Sequence, residues 1–139
     1  MSTKHFLIAY AFVALVFLTL DAAWLGFMGS RLYQPRLGHL LAGEVVWSAA
    51  ALFYALYIAG IVAFAVRPGL LSGSATTALG WGALLGLLAY ATYDLTNQAT
   101  LKAWSTRISV IDIGWGTLLT TAGALAGVLA WRWAARLAG

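Results

Sequence analysis

Four unbroken apolar runs, each close to the ~20 residues a helix needs to cross a bilayer core, decide what this chain can fold into. They lie at about residues 6–28, 45–66, 76–97 and 108–131. Their apolar residues do not alternate with polar ones, and an open sheet in lipid leaves edge amides unpaired, so each run reads as a helix. The links between them, at about residues 29–44, 67–75 and 98–107, are short. Short links set neighbours antiparallel. The expected fold is all-α: a polytopic membrane protein, a four-transmembrane-helix up-down bundle, with residues 1–139 as one domain. Arg67-Pro68-Gly69 is expected to end the second helix, because proline and glycine interrupt helical hydrogen bonding.

Composition agrees with lipid as the main solvent. Hydrophobic residues make up 63% of the chain and charged residues 9%, whereas soluble domains carry roughly 25% charged residues. The first run follows Lys4 and resembles a secretory signal, but it is too long for one, and Asp21 stands where cleavage needs small residues. It is read as a retained helix. There is no cysteine, which excludes disulfides and thiolate metal sites. The net charge of +4 comes from bases at the ends of the apolar runs. Bases there face lipid headgroups, so no nucleic-acid partner is expected.

An even number of crossings puts both termini on one face of the membrane, here called the terminal face. The lysines and arginines divide equally between the two faces, so the positive-inside rule gives no orientation. A short uncleaved N-terminus favours cytoplasmic termini. Gly82 and Gly86, and Gly123 and Gly127, have the G-x-x-x-G spacing that lets helix backbones approach, either within the bundle or across a homodimer.

The four acidic residues do not spread evenly. Asp21 lies late in the first run, Glu44 opens the second, Asp94 lies near the end of the third and Asp112 near the start of the fourth. All four fall in the distal half, away from the termini. Asp21, Glu44 and Asp112 each have a tryptophan three residues on: Trp24, Trp47 and Trp115. Residues three apart share a helix face, so each acid is expected to lie beside its own indole; an aromatic belt at the membrane surface is the equal alternative and fits Glu44 and Trp47 well, Trp24 and Trp115 less so. The two halves of the chain also read as a duplicated hairpin, with an embedded aspartate, a basic loop and then acid-x-x-Trp. Arg31, Arg36, Lys102 and Arg107 occupy the same face as the acids and offer them ion-pair partners. Ionisable groups embedded in a membrane point to function. Asp21, Asp94 and Asp112 are the candidate catalytic residues. Trp24, Tyr33, His39, Glu44, Tyr93, Asn97, Lys102 and Trp115 are the candidate binding residues. No metal site is assigned, and the residues name no cofactor.

LDAAWLG (Leu20 to Gly26), Tyr33, LGHLL (Leu37 to Leu41), YATYDLTNQATLK (Tyr90 to Lys102) and the pair Asp112 and Trp115 resemble DUF2177. That is a bacterial family of small membrane proteins without an established function. The resemblance spans nearly the whole chain. It implies a four-helix protein of the bacterial inner membrane and implies no activity.

Three functions compete. The first is a one-sided carboxylate and aromatic pocket that binds a lipid or other amphiphile and modifies it if Asp94 or Asp112 serves as general acid or base. The second is an accessory subunit docked on a membrane-protein partner. The third is a proton or cation pathway through the embedded aspartates. It has few groups to use in the terminal half, where His5 stands alone.

Overall fold

A computed structural model describes residues 2–137 of the chain. Every regular element among the described residues is helical. Four helices are long and apolar enough to cross a membrane: α1 (Thr3–Leu37), α2 (Trp47–Leu71), α3 (Ala75–Thr100) and α4 (Thr106–Leu137). Their outer faces carry large aliphatic side chains. Leu15 is 62% exposed, Leu56 65%, Leu88 57% and Leu118 68%. A girdle of that kind on all four helices would aggregate in water and is at home against lipid tails.

Contacts run in opposite directions along neighbouring helices, which makes the bundle up-down-up-down. On α3 and α4, Gly82 lies against Thr121 and Ala124, and Gly86 against Gly116 and Thr117. On α1 and α4, Val13 lies against Gly127 while Asp21 meets Trp115. On α2 and α3, Gly69 lies against Ala78 while Tyr57 meets Tyr90. Val13, Phe17, Ile61, Val66, Leu119 and Val128 form the dry centre. Both G-x-x-x-G pairs are buried in this packing. Gly82 and Gly86 admit α4, and Gly123 and Gly127 admit α1 and α2. Neither pair is left on the surface for a second copy.

Two helices run further than their prolines suggest. The chain has two prolines, and each stands two residues past a π-helical turn: Pro35 after Gly29–Tyr33, and Pro68 after Val62–Val66. Proline in a helix strikes the carbonyl four residues back and leaves it without a donor. Those carbonyls, of Arg31 and Phe64, lie inside the widened turns, where the ladder has already shifted to five-residue spacing. The helix therefore survives the ring. α1 continues to Leu37, and its last turns pack Leu32 and Leu37 against Ile108. α2 runs through Arg67-Pro68-Gly69 to Leu71.

Gly69 does not stop α2; it lets α3 come close, since a Cβ there would lie 2.6 Å from that of Ala78. The stop is Gly73. Its φ of +68° is left-handed, the Ser74 amide donates to the Gly69 carbonyl at 3.0 Å, and the Gly73 amide donates to Leu70 at 3.2 Å. This pattern of capping bonds favours glycine, which takes a left-handed φ without strain. Arg132 pins the turn by donating to the Gly73 carbonyl at 2.8 Å. Nothing lies within 4 Å of a Cβ added at Gly73, so Gly73→Ala meets only backbone strain. It is expected to cost about 1 kcal/mol, read as a modestly lower unfolding midpoint in detergent. An unchanged midpoint would show that the cap contributes nothing.

Candidate functional site

The distal half of the bundle gathers three aspartates from three helices. Asp21 of α1 is 8% exposed and Asp94 of α3 is fully buried. Asp112 of α4 is half-buried. Each meets a different set of donors, and that difference defines the chemistry.

Asp21 is satisfied by neutral groups. The Tyr54 hydroxyl of α2 donates to its Oδ2 at 2.6 Å, and the Trp115 indole of α4 donates to its Oδ1 at 3.2 Å. Asp112 accepts from the Tyr33 hydroxyl, which in turn accepts from the Trp24 indole at 2.9 Å. Each donor in that relay polarises the next, which strengthens the final bond to the carboxyl. The two indoles stack face to face, 4.3 Å apart and 6° from parallel.

Asp94 has no such support. Neither oxygen receives a hydrogen bond from any described residue. The register that sets Gly86 against Gly116 and Thr120, and Tyr90 against Gly116, brings Asp94 level with Asp112 on the facing helix. Two carboxyls can hydrogen-bond to each other only when one of them carries a proton.

The indoles are exchanged relative to the expected arrangement. Trp24 was expected to serve Asp21 and Trp115 to serve Asp112. Instead Trp24 serves Asp112 through Tyr33, and Trp115 crosses to Asp21. An indole nitrogen lies several ångströms from its own Cα, so a tryptophan at a helix contact reaches the facing helix more readily than its neighbour one turn away. The π turn at Gly29–Tyr33 also contributes. A widened turn delays helix rotation by roughly one residue, about 100°, and this carries Tyr33 onto the face of Asp21 and Trp24.

The distal bases do not pair with these acids. Arg31 donates to the Phe27 carbonyl at 2.8 Å and stacks on the Phe27 ring, while Arg36 donates to the Leu32 carbonyl. Lys102, His39 and Glu44 are exposed in the connecting segments. Glu44 precedes α2 rather than opening it, and Trp47 is 76% exposed. Both belong to the membrane surface, not to the cluster. Asn97 stands half-buried one turn beyond Tyr93, whose ring packs edge-on against Trp104 at 5.9 Å.

Two cavities meet at the aspartates. One of about 210 Å³ is lined by Asp21, Tyr33, Tyr90, Tyr93, Asp112 and Trp115, with Leu25, Leu37, Leu41 and Ile108. The other, of about 290 Å³, is lined by Phe53, Tyr57, Ala89, Tyr90, Tyr93 and Asp112. Tyr90, Tyr93 and Asp112 belong to both walls. Two carboxyls, of Asp21 and Asp112, line the first chamber, while the second has Asp112 alone among rings and a methyl. Among the described residues, no three acids or histidines are grouped closely enough to hold a metal ion.

Tyr54, Tyr57, Phe53 and Tyr90 were not singled out as binding residues from sequence. The signal was present: Phe53-Tyr54-x-x-Tyr57 sets hydroxyls three residues apart in an otherwise aliphatic run, deeper than an interfacial belt. The relay invites a direct measurement. Tyr33→Phe removes one hydroxyl and leaves both the Trp24 indole and Asp112 short of a partner. It is expected to destabilise the bundle by about 1–3 kcal/mol and to shift tryptophan emission, and wild-type behaviour in both would dissolve the relay.

No curated protein and no solved structure matches the chain. The family model described as "Predicted membrane protein (DUF2177)" matches residues 6–129. Those residues include all four spans through most of their length and each of the three gathered aspartates. The chain belongs to the DUF2177 family of membrane proteins.

Proposed function

We propose that the protein lies in a bacterial inner membrane with both termini cytoplasmic, and that its distal cleft binds a lipid or other amphiphile. The observation that carries this reading is the junction at Asp112, where a carboxylate-lined chamber and an apolar chamber share one wall. A polar head fits the first and the start of a chain fits the second. Together they have the size of ordinary small-molecule sites, which run to about 300–1,000 Å³. Asp112 is the general acid or base should the bound molecule be modified, with Asp94 behind it able to share the proton that it holds and releases.

The dry packing of Val13, Ile61, Val66 and Val128 between the cluster and the terminal face favours a one-sided pocket over a path through the membrane. A deletion strain complemented with wild-type or Asp94→Asn protein, followed by profiling of membrane lipids, tests the reading. Deletion should alter the profile, wild type should restore it and Asp94→Asn should not. Full restoration by Asp94→Asn would remove the aspartate pair from the function.

A further inference from the structure

The distal cleft holds acids without counter-charges. Asp21 is held by an indole and a phenol, both neutral. Asp112 receives only a phenol, and Asp94 receives no donor and lies wholly buried against Asp112. Buried carboxylates are ordinarily paired with a cation or with several donors. Arg31 and Arg36 bond to carbonyls of their own helix instead, and Arg107, five residues before Asp112, is exposed. Without a ligand the pair is relieved by a proton on one carboxyl, and a cation that enters the cleft takes the place of that proton. The same chamber presents the rings of Tyr90, Tyr93 and Trp115, and aromatic faces beside carboxylates are the recognised surroundings of an ammonium group. A phosphate or sulfate head would meet two acids, Asp21 and Asp112, and no base. A metal ion lacks a set of three grouped ligands among the described residues.

We infer that the ligand is a cationic amphiphile, its ammonium group held by Asp112 and the surrounding rings, with Asp94 behind them and the apolar chain leaving along Phe53 and Tyr57. This rests on the reading of the cleft as an amphiphile site and adds the charge of the head. Asp94 acts as a positioning residue. It touches Asp112 rather than the cavity and keeps the pair short of donors until an ammonium arrives.

The test uses the full chain in dodecyl maltoside micelles, with bound molecules counted by native mass spectrometry. Hexadecylamine and hexadecyltrimethylammonium should be retained, one per protein, at concentrations at least ~10-fold below hexadecanol or hexadecyl sulfate. Tetramethylammonium, which has the head without the chain, should not compete at equal concentration. Asp112→Asn should abolish the preference and Glu44→Gln should keep it. Should Asp112→Asn fail to fold, the comparison of head groups on wild type still decides the matter. Equal retention of hexadecanol would overturn the cationic head while leaving an amphiphile site. Competition by tetramethylammonium would overturn the amphiphile and leave an ammonium site. Retention of none of them would remove both readings.

Discussion

Asp94→Asn should unfold at a higher temperature than wild type while losing the function of the cleft. The reason is the isolation of this side chain. Both Asp94 oxygens are buried and no described residue donates to them. A buried polar group left without a partner costs about 1–3 kcal/mol. Asparagine keeps the shape, removes one acid from the pair and brings an amide that donates to the facing Asp112 carboxyl. A stabilisation of about 1–3 kcal/mol follows, measured as the unfolding midpoint in detergent without added ligand. A lower midpoint would mean that the carboxyl is needed to hold α3 against α4, and would return the cluster to a scaffolding role. A gain in stability together with a loss of complementation is the signature of a site kept at the expense of the fold. Added hexadecylamine should then stabilise wild type far more than the variant, since a ligand stabilises in proportion to its binding.

The second large effect is expected at Gly86. A Cβ there would lie 2.6 Å from the Gly116 carbonyl oxygen, 2.8 Å from the Thr120 Cβ and 2.9 Å from the Thr117 Cα. All three belong to α4, and none is the mobile end of a long side chain. Gly86→Ala must therefore push α3 and α4 apart along the contact that holds Asp94 against Asp112. The expected loss is about 3 kcal/mol, the upper part of the range for overpacked cores. Gly80→Ala on the same helix is the control. Nothing lies within 4 Å of its added Cβ, so the helix gains from alanine's lower backbone entropy cost, by about 0.5–1 kcal/mol. Equal midpoints for the two variants would show that this glycine spacing does not set the helix contact. Gly116 completes the picture from the other side. A Cβ there would fall 2.1 Å from the ring of Tyr90, so this glycine makes room for a tyrosine that walls both chambers.

These residues show how far the chain could be read before it was folded. The four spans were legible because lipid imposes a length and a composition on each helix separately. The gathering of the aspartates in the distal half was legible too, since position along a helix converts directly into height. Helix ends were less so. Pro68 and Gly69 read as a stop, yet the π turn before the proline relieves its clash and the glycine serves a neighbouring helix. The partners of the aspartates were least legible. Spacing of three residues correctly puts Trp24 near the level of Asp21 and Trp115 near that of Asp112, but the two indoles bond across the bundle.

What the sequence determined by itself is therefore an all-helical membrane bundle with acids sunk in one half. Tertiary structure alone decided that Tyr54 and Trp115 satisfy Asp21, that Arg31 and Arg36 turn to their own backbone, and that Asp94 is left with nothing but Asp112. The physical reason is that burial and height depend on one helix at a time. A hydrogen bond between helices depends on the rotation of two at once, and the π turn in α1 changes that rotation without altering the apolar pattern.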